Sequence, residues 1–163
     1  GVKFGRYHVF LYQLIKPEAV SLRTLLWKNF NQKYYNVQPP TFGLNFLDDK
    51  EHKNKNFMLL CGFEKFDSLF VRIDILERLF MLIINSQNSK ENKEIKIIPE
   101  MLNLLGCSKD NFKKLLHKMN YKVFDKAEDT FFKYNPIKKF KKISPKKISD
   151  ENPFKILKNL KLG

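Results

Sequence analysis

Cysteine, alanine and arginine are scarce in this 163-residue chain, with two, two and four copies. Cys61 and Cys107 lie far apart, and no Cys or His stands at metal-ligand spacing from either. That excludes a disulfide scaffold and a Cys-rich metal site, and it reads as two reduced, buried thiols in a cytoplasmic protein. Long apolar runs are missing too. The longest, residues 79–84, is six residues, far short of the roughly 18 to 20 that a membrane helix needs. No basic–apolar–small leader opens the chain, which begins at Gly1 and reads as a piece of a longer protein, or a trimmed form, rather than a secreted one. The chain has no GxxxxGK[ST] loop to cradle phosphates, no GxGxxG, no HExxH, no GxSxG and no Cys–His signature. His8, His52 and His117 are scattered. Catalytic residues, cofactor and metal are all expected to be none.

Acidic residues are the other shortage: 17 Asp and Glu face 31 Lys and Arg, a formal charge of +14. The 27 Lys and 15 Asn match the bias of AT-rich coding sequence, which explains Lys in place of Arg but not the missing acids. Such a surplus attracts polyanions, nucleic acid first and an anionic membrane surface second. With 43% apolar residues and 16 Phe, the chain has material for a real core.

Residues 4–14 read as a short strand or extended packing arm. Pro17 suits a first helical turn, where its missing N–H costs nothing. Ala19, Leu22, Leu25, Leu26, Trp27 and Phe30 then recur at three- and four-residue spacing, predicting one apolar stripe on a helix over 17–31, with Trp27 a core residue. Residues 31–40 form a polar loop ending in Pro39-Pro40, and residues 57–60 a short helix that Gly62 stops. Asp67 is placed to cap a long helix over 67–85 carrying Phe70, Val71, Ile75, Leu76, Leu79, Leu82 and Ile83. Within it Asp74 and Arg78 are four apart and can pair across a turn, while Asp74 and Glu77 read as surface charges. Residues 85–93 are a polar loop.

Pro99 opens about two turns of helix that Gly106 ends, and Ser108 stands where an N-cap belongs. Phe112, Leu115, Leu116 and Met119 stripe a second helix. Two short helices around a Gly-containing turn have a helix-turn-helix outline. Residues 121–124 and 130–134 are β-prone runs around a polar turn, a hairpin. The expected fold is therefore mainly α: a winged helix-turn-helix core with a short β-hairpin wing, an N-terminal helical subdomain and a basic C-terminal tail, divided as 1–66, 67–135 and 136–163. From Lys133 onward ten Lys face two acids, and residues 153–160 carry Phe154, Leu157 and Leu160 at three-residue intervals, a short amphipathic docking helix.

The segments Gly5-Arg6-Tyr7-His8-Val9-Phe10, Leu14-Ile15-Lys16-Pro17 and Leu25-Leu26-Trp27 resemble the C-terminal region of alphaproteobacterial DExH-type helicases, bacterial relatives of the mitochondrial degradosome RNA helicase. The similarity continues in Val71-Arg72-Ile73-Asp74-Ile75-Leu76-Glu77-Arg78-Leu79, close to RVDxLERL and the most specific block. It returns in Pro99-Glu100-Met101, in Leu105-Gly106-Cys107-Ser108 and in Asn152-Pro153-Phe154-Lys155-Ile156-Leu157. One departure is Asn120 before Tyr121, where the family has glycine; Asn also tolerates positive φ at a helix end. The resemblance implies a parent ATP-dependent helicase whose ATPase motifs are not in this sequence.

The expected function is an accessory module that binds RNA or DNA, partnered with the helicase core of the same parent chain and without a membrane span. The binding residues expected are Lys109, Lys113, Lys114 and Lys118 on the second helix of the motif, Lys122 and Lys133 on the hairpin, and Lys138, Lys139, Lys141, Lys142, Lys146 and Lys147 in the tail. Lysine is a point charge suited to phosphate, so weak sequence preference is expected. The rivals are a protein-interaction module docking a helicase or another subunit, and a membrane-surface module.

Overall fold

The computed structural model describes residues 1–49, 54–88, 94–126 and 129–135. The tail lysines from Lys138 to Lys147 and the 153–160 segment lie outside the described residues.

An antiparallel hairpin opens the chain, β1 (Val2–Phe4) against β2 (Val9–Leu11), with Val2 opposite Leu11. A 3-10 turn (Tyr12–Ile15) leads into α1 (Pro17–Phe30), where Pro17 occupies the first turn. Asn54 caps α2 (Lys55–Leu60), its Oδ1 accepting from the N–H groups of Asn56 and Phe57 at 2.8 and 3.2 Å. Strand β3 (Phe46–Asp48) and the hairpin of β4 (Phe63–Phe66) and β5 (Leu69–Arg72) form an antiparallel sheet in the order β3-β5-β4. Helix α3 (Ile73–Asn88) follows β5 directly. A second three-stranded antiparallel sheet, in the order β6-β8-β7, is made by β6 (Ile95–Lys96), β7 (Tyr121–Lys126) and β8 (Asp129–Tyr134). Between its strands run α4 (Pro99–Leu105) and α5 (Lys109–Lys118).

The mainly α expectation with a winged-helix core is overturned. The described residues are 48% helical and 25% strand, in three small antiparallel sheets, so the chain is mixed α/β. The N-terminal region is not a helical subdomain, since the β1–β2 hairpin and β3–β5 lie within the first 72 residues. The main departure lies at Asp67. It does not cap a helix but takes φ +62 in the two-residue turn between β4 and β5, and the helix starts six residues later at Ile73. Phe70 and Val71 are thus strand residues. The run on each side of Asp67-Ser68 is β-prone, and pairing in a sheet satisfies its backbone without helical bonds.

Local signals elsewhere match the chain. Gly106 ends α4 at φ +67, its N–H donating to the Leu102 carbonyl at 2.8 Å. Ser108 Oγ accepts from the Asn111 N–H at 3.3 Å. Asn120 takes φ +64 after α5, a conformation that Asn tolerates at a helix end. Gly62 follows α2 as anticipated.

Two cores hold the elements together. The larger combines Leu76, Leu79 and Ile83 of α3 with Met101 and Leu105 of α4, Phe112, Leu115 and Leu116 of α5, and Ile95, Tyr121 and Phe132 of the β6-β8-β7 sheet. The smaller gathers Val20, Phe57, Met58, Cys61, Phe63 and Phe70. Helix α1 joins that second core through Val20 and Thr24, with half-buried Trp27 5.3 Å from the Phe57 ring. Trp27 packs on the core as expected, but the rest of the stripe faces outward: Leu22, Leu25, Leu26 and Phe30 are 59, 54, 51 and 89% exposed. The i, i+4, i+7 set Val20, Thr24 and Trp27 meets α2, and the more apolar side is left uncovered. No helix among the described residues is long and apolar enough to cross a membrane.

Candidate nucleic-acid interface

Strand alternation divides the β6-β8-β7 sheet into two faces. Tyr121, Val123, Thr130 and Phe132 point inward, where the Phe132 ring meets Phe112 edge-on at 6.4 Å and Tyr121 at 5.5 Å. Burial pushes the Tyr121 hydroxyl up to about 12. The opposite pleat carries three cross-strand rows: Lys122 opposite Lys133, Phe124 opposite Phe131, and Lys126 opposite Asp129. Lys96 of β6 lies beside Phe131 on the same face.

These lysines differ in their company. Lys96 pairs with Asp129 at 2.6 Å and Lys126 with Glu94 at 2.6 Å. Lys122 and Lys133 are both exposed, stand directly opposite each other, and have no acidic partner among the described residues. Like charges in such a pair oppose folding. The two rings in the next row lie nearly parallel, 15° between planes and 6.3 Å between centroids.

The α5 lysines form a second group, and the structure does not bring it onto the same face. Helix α5 buries Phe112, Leu115 and Leu116 against the inner side of the sheet, so its charged side points away from the outer pleat. Lys109 and Lys114 are exposed there, with Lys114 Nζ 3.5 Å from the Asn111 side chain. Lys113 is only partly exposed and contacts Asp125 at 3.2 Å. The Asp125 carboxyl sits below its ordinary value because the Thr130 hydroxyl donates to it and Lys113 lies beside it. Lys118 reaches Asp67 in the β4–β5 turn at 2.7 Å, and exposed His117 lies between the lysines. Two of the four α5 lysines are therefore already paired within the chain.

The sequence reading missed Phe124, Phe131, Lys96 and Lys126. The period-2 series Lys122, Phe124, Lys126 carried the signal once the hairpin was recognised, because residues two apart share a face.

A cleft of about 510 Å³ between the N-terminal hairpin and α3 is lined in part by Arg6, Phe10, Asp74, Glu77 and Arg78. The Asp74 and Glu77 carboxylates are buried, not the surface charges that were expected. Asp74 does not pair with Arg78; Arg72 grips it with two bonds of 2.7 and 3.0 Å, while Asp74 Oδ1 also accepts from the Ile75 N–H. Glu77 accepts from the backbone N–H groups of Arg6, Tyr7 and His8 at 2.5, 3.1 and 2.8 Å, and His8 Nδ1 lies 2.7 Å away. Burial alone would raise the Glu77 carboxyl; the His8 ring and the three N–H groups outweigh it and leave the carboxyl below its ordinary value. Both carboxylates thus have structural partners that occupy their oxygens. The cysteines form no disulfide: Cys61 is buried and Cys107 half-buried, with burial pushing the Cys107 thiol up to about 11, away from the reactive thiolate.

No family model, curated protein or solved structure matches this chain.

Proposed function

We propose that this chain is a nucleic-acid-binding accessory module serving an ATP-dependent helicase. The carrying observation is the exposed Lys122–Lys133 pair on the outer sheet face, two cations held opposite each other without an acidic partner among the described residues. An arrangement that costs stability in the free chain is compensated when a phosphate sits between the two ammonium groups. The overall charge of +14 supports the same reading by drawing polyanions to the surface. The helicase context rests on the segments that resemble the helicase C-terminal region. The test is filter binding of the chain to matched single- and double-stranded RNA and DNA at two salt concentrations, with Lys122→Gln/Lys133→Gln alongside. Each phosphate that is no longer neutralised should flatten the log-affinity against log-salt slope by roughly 0.7 to 0.9. Absence of binding at low salt overturns the proposal.

A second reading, a module that docks a helicase core or another subunit, is favoured by one specific observation. Leu22, Leu25, Leu26 and Phe30 form a continuous exposed stripe along α1, and Leu14 in the adjoining turn is also exposed. Apolar patches of this kind mark protein contacts more often than idle surface. Leu22→Asp/Leu26→Asp should then abolish association with a purified helicase core and leave nucleic-acid affinity unchanged.

A further inference from the structure

We infer that the outer face of the β6-β8-β7 sheet binds single-stranded nucleic acid, with a base stacked on Phe124 and the adjoining phosphates held by Lys122 and Lys133. This rests on the nucleic-acid reading above and specifies its site and polymer form. Three observations carry it.

First, the outer pleat places an aromatic row next to a cationic row, roughly 6.8 Å along the strands. Phe124 and Phe131 are cross-strand partners with nearly parallel rings, and both rings remain partly exposed. The ring pair steadies the hairpin, and the flat face that it leaves partly exposed is what a base stacks on. Second, the acids on this face among the described residues are Asp129 and Glu94, and both are engaged by Lys96 and Lys126 at its other end. The Lys122–Lys133 end therefore keeps its positive charge. Third, Lys126 Nζ already lies over the rings, 5.2 Å from the Phe124 centroid and 5.9 Å from that of Phe131. A cation over the π-face marks the side of the Phe124 ring that a base would take over. Its pair with Glu94 is solvent-exposed and so weakly held. An incoming base displaces the ammonium, which then lies next to the strand's phosphates.

A duplex cannot use this site in the same way. Its bases are stacked on one another and present only their edges, so the rings have no face to meet, and only the lysine contacts remain. Every base has a π-face, so the preference is for single strands of any sequence.

The experiment uses the full chain and two 12-nucleotide probes, a fluorescent single-stranded RNA and the matched duplex, by anisotropy. Phe124→Leu retains the apolar bulk without the ring, and Phe124→Tyr restores the ring. The expected result is a loss of about 5- to 100-fold in single-strand affinity for the Leu variant, recovery in the Tyr variant, and unchanged duplex affinity. Circular dichroism confirms that both variants keep the fold. If the wild type binds both probes and Phe124→Leu leaves both unchanged, the stacking site is wrong while the nucleic-acid function stands. An equal loss on both probes also overturns it. If the wild type binds neither probe, the nucleic-acid function itself fails.

Discussion

Glu77 offers the sharpest test of how the N-terminal hairpin is held on the rest of the chain. Its carboxylate receives three consecutive backbone N–H groups and the His8 imidazole, and its side chain is 10% exposed. Glu77→Gln keeps the shape but replaces one acceptor oxygen with an NH2 group that faces donors. At least one hydrogen bond to a charged group is lost and a part-buried donor is left unsatisfied. Such bonds contribute about 1.5 to 3 kcal/mol each, and an unsatisfied donor costs about 1 to 3 kcal/mol, so a net destabilisation of about 3 kcal/mol is expected. For a domain of this size that lowers Tm by roughly 6 to 12 °C. Native-state hydrogen exchange gives the local readout: the amides of Arg6, Tyr7 and His8 should lose protection while those of α5 keep theirs. The pH dependence has a definite sign. The Glu77 carboxyl is depressed in the folded chain, so its contribution is complete above the unfolded value of about 4.3 and is lost as pH falls through the lower folded value. Wild type and Glu77→Gln should therefore converge in stability in acid. A variant within about 0.5 kcal/mol of wild type at pH 7, or a gap that persists unchanged to about pH 2, refutes the reasoning.

Two other outcomes follow from the same structure and a third from the charge of the chain. Gly5→Ala places a methyl group onto the Glu77 carboxyl, which four hydrogen bonds hold in place; it should destabilise by about 1 to 3 kcal/mol in urea unfolding, and much less in the Glu77→Ala background. Phe132→Ala empties the junction between Phe112 and Tyr121 and should cost about 3 to 5 kcal/mol by the same assay, with the sheet face lost as a consequence. Changing Lys138, Lys139, Lys141, Lys142, Lys146 and Lys147 together to Gln should flatten the salt slope of nucleic-acid binding by roughly 0.7 to 0.9 for each phosphate these lysines neutralise; an unchanged slope assigns binding to other lysines of the chain.

How much of this was legible in the sequence depended on whether a signal was local. Gly106, Ser108 and Asn120 were readable because a left-handed residue, a capping hydroxyl and a helix-end asparagine act through their own backbone and that of close neighbours. Asp67 was not, because its two possible roles, cap and hairpin turn, share one short polar side chain. What decided between them was the pairing of Phe63 with Arg72 and Phe66 with Leu69. That pairing adds β3 as a third strand from a stretch given no element at all. The mixed α/β class followed from those strands, which periodicity in short apolar runs does not separate from helix.

The candidate site was half legible, for a related reason. Composition placed lysines at 109, 113, 114, 118, 122 and 133, but charge counts are blind to which side of a sheet a residue occupies. Once β7 and β8 are paired, Lys122 and Lys133 become neighbours across strands, while Lys113 and Lys118 turn toward Asp125 and Asp67. The same geometry explains the exposed stripe of α1. A helix that packs by one narrow edge, Val20 to Trp27, buries fewer apolar groups than it owns, and periodicity reports the groups without reporting what covers them. Two surfaces result, a cationic aromatic sheet face and an apolar helix face, on elements that belong to different cores. Substitutions on one should therefore leave the other intact, so a nucleic-acid contact and a protein contact can be separated by mutation in a single chain.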